Sequence, residues 1–80
     1  MDLFSSLKNA ILQNIPHAQI EVLDPRLDGR HLEVVVVSPI FESLTLLERH
    51  RLVLDPIKNL FERDLHALSI KTFTPQEIEE

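Results

Sequence analysis

Apolar and polar positions recur along the chain with two periods, and these periods predict its secondary structure. Apolar residues return every four positions from Leu3 to Ile15, which predicts a helix over 3–15 with one apolar face. Polar and apolar residues then alternate over 19–22, as in a strand with one face on a core. Residues 24–29 are rich in turn formers and hold the only glycine, so they are predicted to form a loop.

The strongest strand signal covers residues 32–37 and includes four consecutive valines. Such a β-branched run favours a central strand that is covered on more than one side. Residues 67–71 alternate again and predict a third strand. Thr74 and Glu77 then form a capping-box pattern around Pro75, which predicts a short terminal helix.

The segment 44–65 carries the longest helical pattern in the chain. Thr45 followed by Glu48 reads as a capping box, so the helix should begin one residue after Thr45. Pro56 interrupts this pattern, because proline removes a helical hydrogen bond and clashes with the preceding turn. Two interpretations stay open, a kink at Pro56 or a break between a helix over 46–54 and a second one starting at that proline.

The faces of this helix are also predicted from the pattern. The row expected to face the core consists of Leu46, His50, Val53, Ile57 and Leu60. The outward side is expected to present the cations Arg49, Arg51, Lys58 and Arg63. Phe41, in the short turn before the helix, is expected to pack against the core.

The order of elements is helix, strand, strand, helix, strand, helix, and it predicts the fold class. The short loop between the first two strands favours an antiparallel pair, whereas residues 38–65 are long enough to return the third strand parallel to the second. The chain is therefore expected to be an α+β two-layer sandwich, in which helices cover one face of a three-stranded mixed sheet.

Composition narrows the possible functions. Eighty residues with 44% apolar content predict one compact soluble domain over 1–80. Thirteen acidic and eight basic residues give a net charge of −5, which argues against general nucleic-acid binding. Cysteine is absent, so the chain itself supplies neither a disulfide nor a thiolate ligand. The start resembles no signal peptide and no apolar run is long enough to span a membrane, so a cytoplasmic location is expected.

No enzymatic motif is present in the sequence. A Ser-His-Asp arrangement, a glycine-rich phosphate loop and the His-Glu-x-x-His zinc motif are all missing, so the protein is not expected to be an enzyme. The Gly-x-x-Gly loop with which KH domains clamp RNA is missing too, which argues against RNA binding of that kind.

Several segments in register resemble the BolA family. They read Ser-x-x-Phe-Glu, Arg-His-Arg-Leu-Val and His-Ala-Leu-Ser-Ile-Lys-Thr-x-Thr-Pro, and lie at 38–42, 49–53 and 66–75. The resemblance runs from about Leu7 to Glu77. It implies an αββααβα domain of the class II KH-like type, in agreement with the element order above.

The resemblance also implies a partner and a cofactor. Members of this family bind monothiol glutaredoxins and share a bridged [2Fe-2S] cluster with the glutaredoxin and glutathione, and some act in iron-linked regulation or cluster delivery. The family's histidine ligand matches His66, and an imidazole is a competent ligand for cluster iron. This chain is then expected to be a monomer alone and a heterodimer with glutaredoxin.

The second ligand of the family normally comes from a cysteine or histidine in the loop between the first two strands. Residues 24–30 hold neither, and the nearest candidate is His31. In the predicted topology His31 and His66 start neighbouring strands, so their side chains are expected to share one solvent-accessible patch where glutaredoxin docks. The interpretation of His31 as a plain structural residue stays open.

Some members of the family bind DNA as transcription regulators, which gives the alternative function. Its candidate residues here are the cations Arg49, Arg51, Lys58 and Lys71. For Arg49 and Arg51, the interpretation as an ordinary solvated helix face is equally open. His50 is expected to be a buried structural side chain, and His17 lies in a connector with no evident chemistry.

Overall fold

The computed structural model describes residues 3–27, 31–58 and 67–79. Within these ranges the elements follow the predicted order. They are helix α1 (Leu3–Asn14), strands β1 (Gln19–Leu23) and β2 (His31–Val37), a 3-10 helix (Pro39–Ser43), helix α2 (Leu46–Leu54), strand β3 (Ala67–Phe73) and helix α3 (Pro75–Glu79). No helix in the described ranges is long and apolar enough to cross a membrane.

The three strands form one mixed sheet in the order β1-β2-β3. β1 runs antiparallel to β2, with Gln19 opposite Val37, and β3 runs parallel to β2, with Ala67 beside His31. The valine-rich strand is therefore the central one, and the α+β class predicted from the sequence is confirmed.

The alternation of β2 separates a core face from an open face. Leu32, Val34 and Val36 point into the core and are at most 2% exposed, whereas His31 and Glu33 alternate with them, belong to the other face and are partly exposed. Helices α1 and α2 supply the opposite side of the core. Its fully buried members from those helices and their flanking segments are Leu7, Ile11, Ile15, Phe41, Val53 and Ile57.

Both predicted capping boxes form. The Thr45 hydroxyl accepts from the Glu48 N–H at 3.1 Å while the Glu48 carboxylate accepts from the Thr45 N–H at 2.8 Å. Thr74 and Glu77 make the same reciprocal pair at the start of α3. Each box satisfies two backbone donors that would otherwise have no helical partner.

The chain breaks its helix before Pro56. α2 ends at Leu54, Asp55 is its C-cap, and residues 55–57 form a turn. Proline lacks the N–H that a further helical turn requires, so the break agrees with the second of the two interpretations. The helix expected beyond Pro56, with Leu60 and Arg63, falls largely on 59–66 and lies outside the described residues.

The predicted orientation of α2 is wrong in its first half. Leu46 is 74% exposed and His50 is also exposed, whereas Arg49 is only 8% exposed. The buried row is therefore Arg49, Val53 and Ile57, spaced four residues apart. In this orientation the Arg49 side chain reaches two polar partners, which are described below.

The short helix α3 borders the open face of the sheet at one end. Its Ile78 shares a groove of 380 Å³ with Gln19, Glu21, Val35 and Val37, which belong to that face of β1 and β2. Val37 is consequently only 9% exposed. The two-layer sandwich thus consists of α1 and α2 on one face, with α3 at the margin of the other.

Candidate functional site

His31 begins the central strand, at the end of the sheet where the β1–β2 loop rejoins it. Its partly exposed side chain belongs to the open face and lines a shallow depression of 200 Å³ together with Pro25, Glu33 and Ser69. His31 is therefore not turned into the core. An imidazole at such a rim is accessible to a partner molecule.

His66, the principal ligand expected from the sequence, lies outside the described residues. The register of the sheet nevertheless bears on it, because His31 pairs with Ala67, the next residue along the chain. A shared patch for the side chains of His66 and His31 stays a prediction.

Within the described ranges, no group of three or more histidine, aspartate, glutamate or cysteine side chains lies close enough to hold a metal ion. The whole chain also lacks cysteine. The described donors beside the shallow depression are the imidazole of His31 and the carboxylate of Glu33. An imidazole is a ligand type that fits the iron of a cluster.

Arg49 does not lie on the outward face on which it was predicted. Its Nε donates to the Leu44 carbonyl at 3.2 Å and its Nη1 donates to Oε1 of Glu77 at 3.1 Å. Its guanidinium carbon also lies 5.8 Å from the centroid of the Phe41 ring. These contacts connect α2 to the 3-10 helix and to α3, so Arg49 has a structural position.

The other predicted cations are exposed but are divided between the two layers of the fold. Arg51 belongs to α2 and Lys58 follows it, both in the helical layer. Lys71 belongs to β3 and forms an ion pair with Glu33 of β2, with Nζ 3.1 Å from Oε1. The cationic surface predicted from the sequence is thus wrong in including Arg49, which is buried, and its described exposed members are divided between a helix and the sheet.

Sequence reasoning missed that Glu77 joins α3 to the rest of the molecule. The Thr74 N–H donates to the Glu77 carboxylate at 2.6 Å, and with the Arg49 guanidinium it holds the pKa of Glu77 below the ordinary value of 4.5. The capping-box pattern was visible in the sequence, but the partner of its glutamate was not.

Acid is expected to weaken this attachment of α3. A lowered pKa in the folded state means that Glu77 stabilises the fold above pH 4.5 and that this contribution is lost as the pH falls through the lowered pKa. Thermal unfolding followed between about pH 7 and pH 3 should show a smaller loss of stability in Glu77→Gln than in the unaltered protein. Equal losses in the two proteins would contradict the role of this carboxylate.

Comparison with known proteins adds relatives of similar size and fold. A family model for BolA-like protein matches residues 8–77, a range that includes His31 and His66. The structure of a bolA protein homologue from Coxiella burnetii is 37% identical over 100% of both chains, with a TM-score of 0.76. BolA1 from Arabidopsis thaliana is 30% identical over 96% of both chains, with a TM-score of 0.81.

A curated relative carries a function in its name. The DNA-binding transcriptional regulator BolA from Vibrio cholerae is 42% identical over 53 residues. That match covers 66% of this chain and 50% of the Vibrio protein.

Proposed function

The chain belongs to the BolA-like protein family, and from this premise we propose that it is an adaptor that binds a monothiol glutaredoxin. In this role it takes part in [2Fe-2S] cluster binding, trafficking or iron-linked regulation. The observation that carries the proposal is the register between His31 and Ala67, which brings His31 beside the residue that follows His66. This register supports a ligand pair from one chain, with His31 at the start of β2 and His66 just before β3 in sequence.

The proposed ligand set divides the cluster between two proteins. His66 supplies the principal ligand from this chain and His31 the second. The glutaredoxin cysteine and glutathione supply the others, since this chain has no thiol. A histidine-ligated [2Fe-2S] iron is known chemistry, because two histidines replace two cysteines in Rieske centres. The protein is accordingly a cytoplasmic monomer that forms a one-to-one heterodimer when glutaredoxin is present.

Co-expression with a monothiol glutaredoxin tests the proposal directly. The two proteins should purify together at a one-to-one ratio, and the visible absorption and circular dichroism of the glutaredoxin cluster should change in the complex. His66→Ala should alter these spectra or lose the cluster while far-ultraviolet circular dichroism stays the same. His17→Asn is the control, since His17 is exposed and has a φ of 69°, which asparagine tolerates.

The result that overturns the proposal is the recovery of free glutaredoxin with an unchanged spectrum. An unaltered cluster in His66→Ala would remove His66 from the ligand set. His31→Ala is a separate experiment, because its failure to change the spectra would leave His66 as the sole ligand from this chain without affecting the adaptor role.

DNA binding is a second candidate, because the Vibrio relative is named a DNA-binding transcriptional regulator. The candidate contacts are the exposed cations Arg51, Lys58 and Lys71. Arg49 is no longer a candidate, because its side chain is buried. Phosphate contacts would make the logarithm of affinity fall with the logarithm of salt concentration, with a slope of about −0.9 for each contact. Titrations of specific and scrambled duplexes at two salt concentrations measure this slope. Undetectable or salt-insensitive binding would rule this function out.

A further inference from the structure

A groove of 330 Å³ runs between the first turns of α2 and β3. Its α2 side is formed by Leu46 and His50, one helical turn apart. Its β3 side is formed by the four consecutive residues 70–73. Because successive side chains of a strand point to opposite faces, a groove that touches four in a row follows the edge of the strand.

β3 is an edge strand of the sheet. In the strand order β1-β2-β3 it pairs with β2 on one side, and no strand in the described ranges pairs with its other side. Edge strands are commonly protected from further pairing by proline, by charges or by being very short. β3 has seven residues without proline, and its one charge, Lys71, is already paired with Glu33.

One contact shows which residues of β3 direct their backbone N–H and C=O groups toward β2. The Ser38 N–H donates to the Phe73 carbonyl at 3.0 Å, so the backbone of Phe73 faces β2. In a parallel pair the residues of one strand alternate between facing the partner and facing away. The N–H and C=O groups of Ile70 and Thr72 therefore point outward, along the groove.

The groove is also incompletely covered on its apolar side. The core-facing residues of β2 are at most 2% exposed, but Ile70 in the neighbouring position on β3 is only half-buried. Leu46, across the groove, is 74% exposed. The burial of apolar side chains thus decreases toward this edge. A further strand would cover the side chains that are left exposed.

The charge of the groove limits the chemistry of an occupant. The titratable side chains that line it are His50 and Lys71, and no carboxylate is among the lining residues. Glu48, on the same helix, uses its carboxylate to cap Thr45. In a chain with a net charge of −5, this groove is accordingly a place where an acidic segment meets nitrogen donors rather than carboxylates.

We propose that this groove binds an extended acidic peptide segment of a partner protein, which adds to the outer edge of β3 as a fourth strand. The outward groups of Ile70 and Thr72 supply the backbone hydrogen bonds, and the pocket between Leu46 and Ile70 takes an apolar side chain of the peptide. His50, which lines the groove, donates a hydrogen bond to one of its carboxylates. The site is distinct from the proposed cluster ligands, since Ile70 lies three residues, about 10 Å, along β3 from the end near His31.

Amide hydrogen exchange measured by NMR tests the proposal with a capped octapeptide that alternates valine and aspartate. The amides of Ile70 and Thr72 should exchange about tenfold more slowly when the peptide is at about nine times its dissociation constant. The amides of Lys71 and Phe73, which face β2, should change much less. The same peptide with all its backbone nitrogens methylated should give no protection, since it has no donors for the strand.

Two substitutions connect the effect to the groove. Leu46→Asp should abolish binding, and aspartate is well tolerated in the first turn of a helix. Leu27→Asp is its matched control, because Leu27 is 90% exposed and lies outside the groove. His50→Glu should weaken binding by about three- to tenfold through like-charge repulsion.

Three results would overturn the proposal. The first is no protection of Ile70 and Thr72 at saturating peptide. The second is equal binding of a peptide that alternates valine and lysine, which would remove the role of charge. The third is a thymidine octamer that binds this groove while the acidic peptide does not, which would assign the groove to single-stranded nucleic acid.

Discussion

Replacing Phe41 with alanine is expected to lower the free energy of unfolding by about 3–5 kcal/mol, the usual loss for a fully buried aromatic side chain. Phe41 is 0% exposed and belongs to the central cluster of the core. An 80-residue domain has a total stability of about 4–12 kcal/mol, so the loss is a large part of the whole. Urea denaturation followed by circular dichroism measures it.

The position of Phe41 explains why the void left by alanine should not close. Its backbone is held by two hydrogen bonds, from the Phe41 N–H to the Ser38 carbonyl at 3.2 Å and from the Leu44 N–H to the Phe41 carbonyl at 3.1 Å. The segment therefore resists the collapse that would reduce the cost of a cavity.

Ile40→Ala is the matched control for this prediction. Ile40 is the preceding residue of the same 3-10 helix and is 47% exposed. Its replacement should change stability by about 1 kcal/mol or less. Similar losses for the two variants would mean that the 3-10 helix itself, and not the buried ring, determines the effect.

The sheet was predictable from the sequence because its signals are local and agree with one another. The valines of 34–37 favour a buried central strand, and the turn formers of 24–29 leave room only for a short connection to β1. The long segment between β2 and β3 then allows the parallel return that the register shows. No contact with a distant residue is needed to reach this topology.

The orientation of α2 was not predictable in the same way. Apolar residues at both Leu46 and Leu47, and again at 52–54, are compatible with core rows that share Val53 but begin at Leu46 or at Arg49, which lie about 60° apart around the helix. The observed orientation brings Arg49 to Glu77, which lies 28 positions away in sequence and accepts a hydrogen bond from it. A hydrophobic pattern carries no information about such a partner.

For the candidate site, the sequence predicted the neighbouring positions of the strands but not which side chains of α2 are exposed. The parallel register that follows from the topology brings His31 beside the start of β3, as expected. The groove at Leu46 and His50 was missed because both residues were assigned to the core row, and the wrong helical phase hid an exposed surface. Side-chain placement on a helix thus limits functional prediction more than the order of strands does.

Arg49→Met is expected to lower the free energy of unfolding by about 1–3 kcal/mol, because it leaves a carbonyl and a carboxylate without their charged donor. The methionine keeps most of the side-chain volume, so the loss reports the polar contacts to Leu44 and Glu77 and the contact with the Phe41 ring. Arg51→Met, two residues away and exposed, should change stability by about 0.5 kcal/mol or less. Urea denaturation of both variants gives the comparison.

A double-mutant cycle separates the Glu77 contact from the others. If the ion pair contributes, Arg49→Met should cost less in a Glu77→Gln background than in the unaltered protein. Arg49→Lys adds a further distinction, since lysine retains the charge but not the fork of donors that reaches Leu44 and Glu77 together. A lysine variant as stable as the unaltered protein would show that charge alone is sufficient. A loss in Arg49→Met no greater than that in Arg51→Met would contradict a structural role for this buried cation, and would return Arg49 to the set of residues available for a partner.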